Sequence, residues 1–186
     1  YRREIGLAMG IRTMFVTDEG SIYGEKYSDY QYALADYVRA GNISYRRNKK
    51  KNAGRKKYMA GRERLEAALH TYINTEINRM LRTEKPAVIY LPKLPQSSKA
   101  GVNKKINSSV NMWQKGYVRN RLTQKCKEQS IELIEVLGKD ISNECSHCGI
   151  TGEKANGVFT CKACGAELPE RENTAKNALK RGRCEK

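Results

Sequence analysis

Acidic residues are scarce in this sequence of 186 residues. Asp and Glu together number 20 against 36 Lys and Arg, so the formal net charge is +16 and the isoelectric point is about 9.7. This balance argues against an acidic or neutral small-molecule enzyme and favours a polyanionic partner. Hydrophobic residues make up 39% of the chain, which suffices for one folded core with a small appendage.

Long apolar segments are also missing. No apolar run approaches ~18 residues, so we expect no membrane span, and no charged and then apolar segment with a cleavage site opens the chain. The sequence begins at Tyr1 without an initiator Met, so we expect it to be a piece of something longer. The dense, even cysteine spacing of a secreted disulfide scaffold is absent as well, which favours a reducing intracellular compartment.

Cysteine is nevertheless present in a specific pattern. Four of the six cysteines form two C-x-x-C pairs with twelve residues between them, and each pair is followed by a glycine that lets backbone N–H groups approach sulfur. Two such turns close a tetrahedral four-thiolate zinc site, which is structural because it leaves no open coordination position. His147 inside the first pair is an alternative ligand, and Cys126 and Cys184 are predicted to be ordinary thiols. The predicted ligands are Cys145, Cys148, Cys161 and Cys164.

Hydrophobic periodicity predicts an α/β chain with the element order β-β-β-α-β-α-β-α and an insertion before the last helix. Residues 4–24 predict three short strands in an antiparallel meander, and the apolar run at 87–91 predicts a buried strand with a parallel neighbour. The remaining predictions are one long helical region over about 30–82, a helix carrying Ile106, Val110, Trp113 and Tyr117, a strand at 131–137, and a short helix at 174–181.

Residues 44–64 are the most basic part of the sequence, with ten Lys or Arg and one acidic residue. Tyr45 and Tyr58 flank the run, and tyrosine rings can stack on bases or ribose. We therefore predict a nucleic-acid surface that follows the phosphate backbone, against the alternative of a solvated and partly disordered loop. Arg119 and Arg121 are further candidates on a helix face. The basic run contributes Arg46, Arg47, Lys49, Lys50, Lys51, Arg55, Lys56 and Lys57.

The motifs follow one another in a specific order: G-L-A-M-G-I in the first strand, the basic segment, a lone apolar strand, C-S-x-C-G…F-x-C-x-x-C-G, and N-x-A-x-N-A. This combination resembles the C-terminal half of TnpB, the transposon-encoded RNA-guided nuclease, and its relatives among type V CRISPR effectors. The resemblance implies an RNase H-like (RuvC) core over 1–140, a zinc ribbon inserted at 141–168, and a last helix and tail at 169–186.

The same resemblance implies partners and a location. In the family, sequence is read by pairing between guide RNA and the target strand while the protein holds the backbone. We therefore expect guide RNA and target double-stranded DNA as partners, together with an N-terminal half in the same or another polypeptide. A prokaryotic, cytoplasmic and nucleoid-associated location follows from this expectation.

Family members cut DNA with two divalent metals held by three carboxylates, in the motifs G-[IL]-D-x-G, V-[VI]-E and D-x-N-x-A-x-N. In this sequence those positions are read as Ala8, Tyr90 and Arg171. Mg²⁺ needs charged oxygen ligands, which a methyl, a neutral phenol and a guanidinium do not supply. We therefore expect structural Zn²⁺, no catalytic Mg²⁺, and a nuclease-inactive, RNA-guided DNA-binding module that occupies its target and represses transcription.

Two alternatives to this reading stay open. The first is an active RuvC-like endonuclease that uses displaced carboxylates, for which Glu170, Glu172, Asp18 and Glu19 are the candidates. The second is a structural subunit of a transposon or CRISPR effector complex. Arg171 itself is predicted to meet a phosphate, or alternatively to form an ion pair with one of its neighbouring glutamates.

Overall fold

A computed structural model of the chain describes residues 2–47, 54–93 and 114–184. The strands in these residues are β1 (Glu4–Met9), β2 (Phe15–Thr17), β3 (Ile22–Tyr23), β4 (Val88–Pro92), β5 (Glu132–Val136), β6 (Glu153–Ala155), β7 (Val158–Thr160) and β8 (Glu167–Pro169). The helices are α1 (Tyr27–Arg47), α2 (Arg55–Glu84), α3 (Lys115–Glu128) and α4 (Glu170–Cys184).

A five-stranded mixed sheet in the order β3-β2-β1-β4-β5 carries the main core. β1, β2 and β3 form the predicted antiparallel meander, whereas β4 lies parallel to both β1 and β5. All five residues of β4 are buried, as expected for a central parallel strand covered on both faces. The prediction of an α/β fold with a mixed sheet flanked by helices is confirmed.

The two faces of β1 meet different helices because successive side chains of a strand point to opposite sides. Ile5, Leu7 and Met9 enter the larger core, where the apolar stripes of α2 and α3 cover the sheet. Gly6 and Gly10 lie on the other face, against α4. A Cβ at Gly6 would overlap the Ala175 carbonyl, so glycine lets the helix approach the strand closely.

The helical region predicted as one unit is two helices. α1 ends at Arg47 and α2 begins at Arg55. The two helices pack against each other as a hairpin, in which the ring of Tyr37 stacks on the ring of Tyr58. The prediction of one helical region over about 30–82 did not separate these two helices, because hydrophobic periodicity does not show where one helix ends and the next begins inside a run of charged residues.

The other predicted helices differ from the structure at their ends. α3 is described from Lys115 onward, and Ile106, Val110 and Trp113 lie outside the described residues. α4 is longer than predicted, because it begins four residues earlier at Glu170 and continues to Cys184. In the described part of the chain, none of the helices is long and apolar enough to cross a lipid bilayer.

Candidate metal centre and nucleic-acid interface

The four predicted cysteine ligands come together between β5 and α4. Cys145 and Cys164 have their Sγ atoms 3.6 Å apart, as do Cys148 and Cys161, and all four Sγ atoms lie within 4.8 Å of one another. Tetrahedral Zn²⁺ with Zn–S distances of ~2.3 Å places its sulfur ligands ~3.8 Å apart. The cluster is therefore compatible with a metal site of the zinc-ribbon type.

Local backbone geometry shapes this cluster. The N–H groups of Gly149 and Gly165 donate to the carbonyls of Cys145 and Cys161 at 2.8 and 2.9 Å. Both glycines have a left-handed φ, of 80° and 71°, which glycine adopts without strain. Backbone N–H groups from Cys164 and Ala163 lower the pKa of Cys161 to about 7, which favours the thiolate that binds metal.

Phe159 forms the apolar centre of the ribbon. Its side chain is fully buried against Cys145 and Cys161, while β6, β7 and β8 form a small antiparallel sheet. His147 is exposed and is not a member of the sulfur cluster. The candidate donor set therefore consists of four sulfur atoms.

A row of polar side chains on α4 fixes the ribbon to the main sheet. Asn173 donates to the Glu144 carbonyl at 2.7 Å and accepts from the Ser146 N–H at 2.9 Å, and Asn177 donates to the carbonyls of Ile141 and Glu144. Arg181, one turn further, donates to two carbonyls of the same connection. The spacing of four residues places all three on one face of α4. The N-x-A-x-N motif thus holds the segment that enters the ribbon.

Arg171, in the first turn of α4, extends over the end of β1. Its Nη1 donates to the Met9 carbonyl at 2.7 Å. A Cβ built on Gly10 would lie 2.5 Å from the Arg171 Cζ and 2.6 Å from both Nη atoms, so the guanidinium lies face-on over this glycine. Ala8 is buried on the same strand, two residues before Gly10. Of the three positions where the family motifs carry carboxylates, the structure therefore brings two, 8 and 171, to one edge of the sheet.

Tyr90 lies elsewhere on this face. Its ring is fully buried and packs under Gly182, near the opposite end of α4, among Val88, Val136 and Ala178. β1 and β4 pair Gly6 with Tyr90, and continuing this parallel register by two residues places Pro92 level with Ala8. The residue of β4 level with Ala8 is thus Pro92, which is also buried.

The candidate replacement carboxylates make other contacts. Asp18 accepts from the Gly6 N–H at 2.9 Å and, like Glu19, pairs with Arg3. Glu170 lies 3.6 Å from Lys154, and Glu172 lies 2.6 Å from Lys176. In the described segments, Arg171 forms no ion pair with either neighbouring glutamate, because both are engaged by lysines.

The predicted basic surface is described only in part. Arg46 and Arg47 form the end of α1, Lys49, Lys50 and Lys51 lie outside the described residues, and the first turn of α2 carries the exposed Arg55, Lys56 and Lys57. Tyr58 stacks on Tyr37 with ring centroids 5.4 Å apart, so one face of its ring is covered by the protein.

The basic residues of α3 have partners within the chain. Arg119 pairs with Glu135 on β5, and Arg121 donates to the Asn74 side chain at 2.9 Å. Tyr117, predicted on a helix, lies on α3, and its ring stacks on that of His70 with ring centroids 3.7 Å apart. α3 is thus joined to the sheet and to α2 through its polar groups.

Two residues at the edge where β1 and β4 end, Arg12 and Pro92, were not predicted from the sequence. Arg12 follows β1 and is exposed, close enough to Arg171 for the two charges to interact. Pro92 can be placed at this edge only from the register of β4 against β1, which the alternation of apolar and polar residues does not give. A cation shortly after the first strand was the one sequence signal available for Arg12.

Comparison with known proteins identifies relatives of the chain. Residues 116–178 match the Cas12f1-like, TNB domain family. A TnpB-like protein of Aquifex aeolicus (strain VF5) is 25% identical over 163 residues, covering 79% of this chain and 53% of that protein. The chain therefore spans about half the length of this curated relative.

Solved structures share the fold. A Cas12f1-sgRNA-target DNA complex matches with a TM-score of 0.65 and 19% identity, covering 94% of this chain and 49% of that chain. A CRISPR-Cas12f ternary complex matches with a TM-score of 0.67 and 17% identity, covering 94% and 38% respectively. The predicted resemblance to TnpB-like proteins is confirmed: part of the chain matches a Cas12f1-like family, and the chain is similar in sequence to a TnpB-like protein and in fold to Cas12f structures.

Proposed function

We propose that this chain is the DNA-holding half of an RNA-guided protein that occupies its target without cleaving it and thereby represses transcription. Its relatives include a Cas12f1 solved with a single guide RNA and target DNA. The net charge of +16 fits a partner with a dense phosphate backbone. Guide RNA, target double-stranded DNA and an N-terminal half are the partners that this proposal requires.

The guanidinium of Arg171 over the end of β1 is the observation that carries the proposal. Two unit charges 4 Å apart interact by about 4 kcal/mol at an effective dielectric of 20, and a divalent ion roughly doubles that repulsion. Two-metal hydrolysis requires both ions to be clamped close together by anionic ligands. A fixed guanidinium beside a buried methyl group favours a site that does not hold Mg²⁺.

The distribution of metal-binding groups supports the same conclusion. Among the residues that the structure describes, the four cysteines are the one group of three or more His, Cys, Asp or Glu whose ligand atoms cluster closely enough to hold a metal. A four-sulfur set suits Zn²⁺ in a structural role and does not suit Mg²⁺. The lysine pairs of Glu170 and Glu172 disfavour the alternative of an endonuclease with displaced carboxylates.

The test uses the chain together with any polypeptide and RNA that copurify with it. The RNA is sequenced, and an end-labelled DNA duplex that matches its guide segment is incubated with the complex in Mg²⁺. We expect a footprint on this duplex, no footprint on a scrambled duplex of equal length, and intact strands on a denaturing gel. In transcription reactions, the matched target downstream of a promoter should lower the yield of full-length transcript.

Each alternative gives a different result in this assay. Strand cleavage that requires Mg²⁺ would show an active endonuclease and refute the proposal. Stable association with a partner polypeptide, but no binding to matched DNA, would indicate the structural subunit instead.

A further inference from the structure

We propose that Arg171 and Arg12 form a metal-independent subsite for one backbone phosphate of a bound DNA strand, at the sheet edge where β1 and β4 end. This inference rests on the proposed function and adds to it the residues that hold the strand. The subsite uses two guanidinium groups at the edge where relatives are expected to carry carboxylates.

The orientation of Arg171 leaves hydrogen-bond donors available. One N–H of Nη1 is directed to the Met9 carbonyl, and the guanidinium plane lies flat over Gly10. A guanidinium carries five N–H donors in one plane, so the remaining edge can meet a phosphate with two parallel bonds. The residue as a whole is exposed, so a strand can reach it.

The charge of Arg171 is not neutralised within the described residues. Glu172 pairs with Lys176, and Glu170, which lies close enough to raise the pKa of Arg171, is engaged by Lys154. Desolvation by the surrounding protein atoms and the positive charge of Arg12 lower that pKa. Arginine stays protonated in proteins, so the two guanidinium groups present an excess of positive charge that a phosphate would relieve.

The topology places further positive charge at the same edge. β1 and β4 are parallel, so their carboxyl ends meet at one side of the sheet, where ligands of open α/β sheets bind. Arg12 follows β1, and the exposed Lys93 follows β4 directly. The segments that follow two strand ends and the first turn of α4 thus each carry a cation on the same side of the sheet.

The alternative is that Arg171 serves only to fasten α4 to β1 through the Met9 carbonyl. Arg171→Gln removes the charge and the guanidinium edge but keeps a polar side chain, and the thermal unfolding measured in parallel reports whether the fastening of α4 is lost. Arg183→Ala is the matched control, because it removes the same charge from the opposite end of α4, where Arg183 pairs with Glu4.

The experiment measures binding of the full chain, with its copurifying components, to a fluorescein-labelled single-stranded DNA at several salt concentrations, in buffer without Mg²⁺ or chelator. Arg171→Gln and Arg171→Ala should each weaken binding by about tenfold and reduce the salt slope by about 0.7, the loss of one phosphate contact. Arg183→Ala should change neither quantity. Thermal unfolding of all variants is measured in parallel to exclude misfolding.

Neutral methylphosphonate linkages, introduced one at a time along the DNA, identify the phosphate itself. We expect one linkage that weakens binding of the unaltered chain but has no further effect on Arg171→Ala, which is the signature of a direct pair in a double-mutant cycle. The same scan on an RNA strand shows whether DNA is the preferred source of the phosphate; a pair found on RNA alone would overturn the assignment to DNA.

The outcomes distinguish this inference from the proposed function. If the unaltered chain binds DNA but the Arg171 variants bind equally well, or if Arg183→Ala has the same effect, the subsite is refuted while the proposed function stands. If the unaltered chain binds DNA only when Mg²⁺ is added, a metal holds the strand and the subsite is refuted. If the unaltered chain binds no DNA at all, both fail.

Discussion

Gly182 and Gly116 both lie in helices, yet an added Cβ would meet opposite surroundings at the two positions. At Gly182 in α4 it would overlap the buried ring of Tyr90, whereas at Gly116 in α3 it would meet nothing within 4 Å. Tyr90 is completely buried, so the ring has no space into which to move. The absence of a side chain at Gly182 is therefore what allows a large aromatic residue beneath the helix.

Gly182→Ala is expected to destabilise the chain by about 1–3 kcal/mol because it overpacks this contact. Gly116→Ala is the control and should leave stability unchanged or raise it by up to about 1 kcal/mol, since alanine favours helix. Urea unfolding followed by circular dichroism measures both variants. Equal stability of the two would contradict the packing seen here, and Tyr90→Leu should recover part of the loss in Gly182→Ala.

At the scale of elements, prediction succeeded where the hydrophobic pattern is set by burial. β4 was recognised as a buried strand with a parallel neighbour because its apolar run is continuous, and the cysteine spacing with its two glycines indicated the four-sulfur cluster. The hairpin of α1 and α2 was missed, because the sequence between their apolar stripes is basic and has no apolar periodicity. The length of α4 was underestimated, because its first turn is made of polar residues.

At the same scale, we expect the stability of the ribbon to depend on a metal bound by its four cysteines. Phe159 is the one large apolar side chain fully buried there in the described residues, and such a small core does not sustain a three-stranded sheet alone. The connection before the ribbon is instead held by Asn173 and Asn177 of α4. Loss of the metal should therefore unfold the ribbon and leave the main sheet folded.

Hydrogen exchange with and without a zinc chelator tests this expectation. Amides in β6, β7 and β8 should lose protection on chelation, whereas those of β1 and β4 should keep it. Cys148→Ser should reproduce the effect of the chelator, and Cys184→Ser should not, because Cys184 is exposed and outside the cluster. Loss of protection throughout the chain, or none at all, would show that ribbon and sheet are not separate units of stability.

At the scale of the whole molecule, the sheet edge is assembled from positions far apart in sequence. Ala8, Pro92 and Arg171 come from three elements, and only the register of β1 with β4 reveals which residue of β4 lies level with Ala8. The sequence alone indicated positions 8 and 171 through their motifs. The sequence motif placed the middle position at Tyr90, because an apolar strand without an acidic residue does not show which of its residues lies at the edge of the sheet.

The assembled edge leads to a prediction about rebuilding a metal site. The triple variant Ala8→Asp, Pro92→Glu and Arg171→Asp should bind Mn²⁺, because it places three carboxylates at one edge of the sheet and removes the guanidinium that repels cations. At a Mn²⁺ concentration 100 times the dissociation constant, binding adds about 2.7 kcal/mol to the free energy of unfolding. For a chain of this size, that corresponds to an increase in melting temperature of roughly 5–10 °C.

A second triple variant, with Tyr90→Glu in place of Pro92→Glu, tests whether Tyr90 or Pro92 is the β4 position that lies at this edge. Its carboxylate would be buried under α4 among Val136 and Ala178, so it should lower stability by several kcal/mol and gain nothing from Mn²⁺. The unaltered chain serves as the reference, and Mn²⁺ should not raise its melting temperature except through binding to the cysteine cluster. All variants are therefore also compared in a Cys148→Ser background, which removes that contribution. If the Tyr90→Glu triple is the one that Mn²⁺ stabilises, the strand register does not determine the middle position. The sequence motif would then be the better guide to this edge.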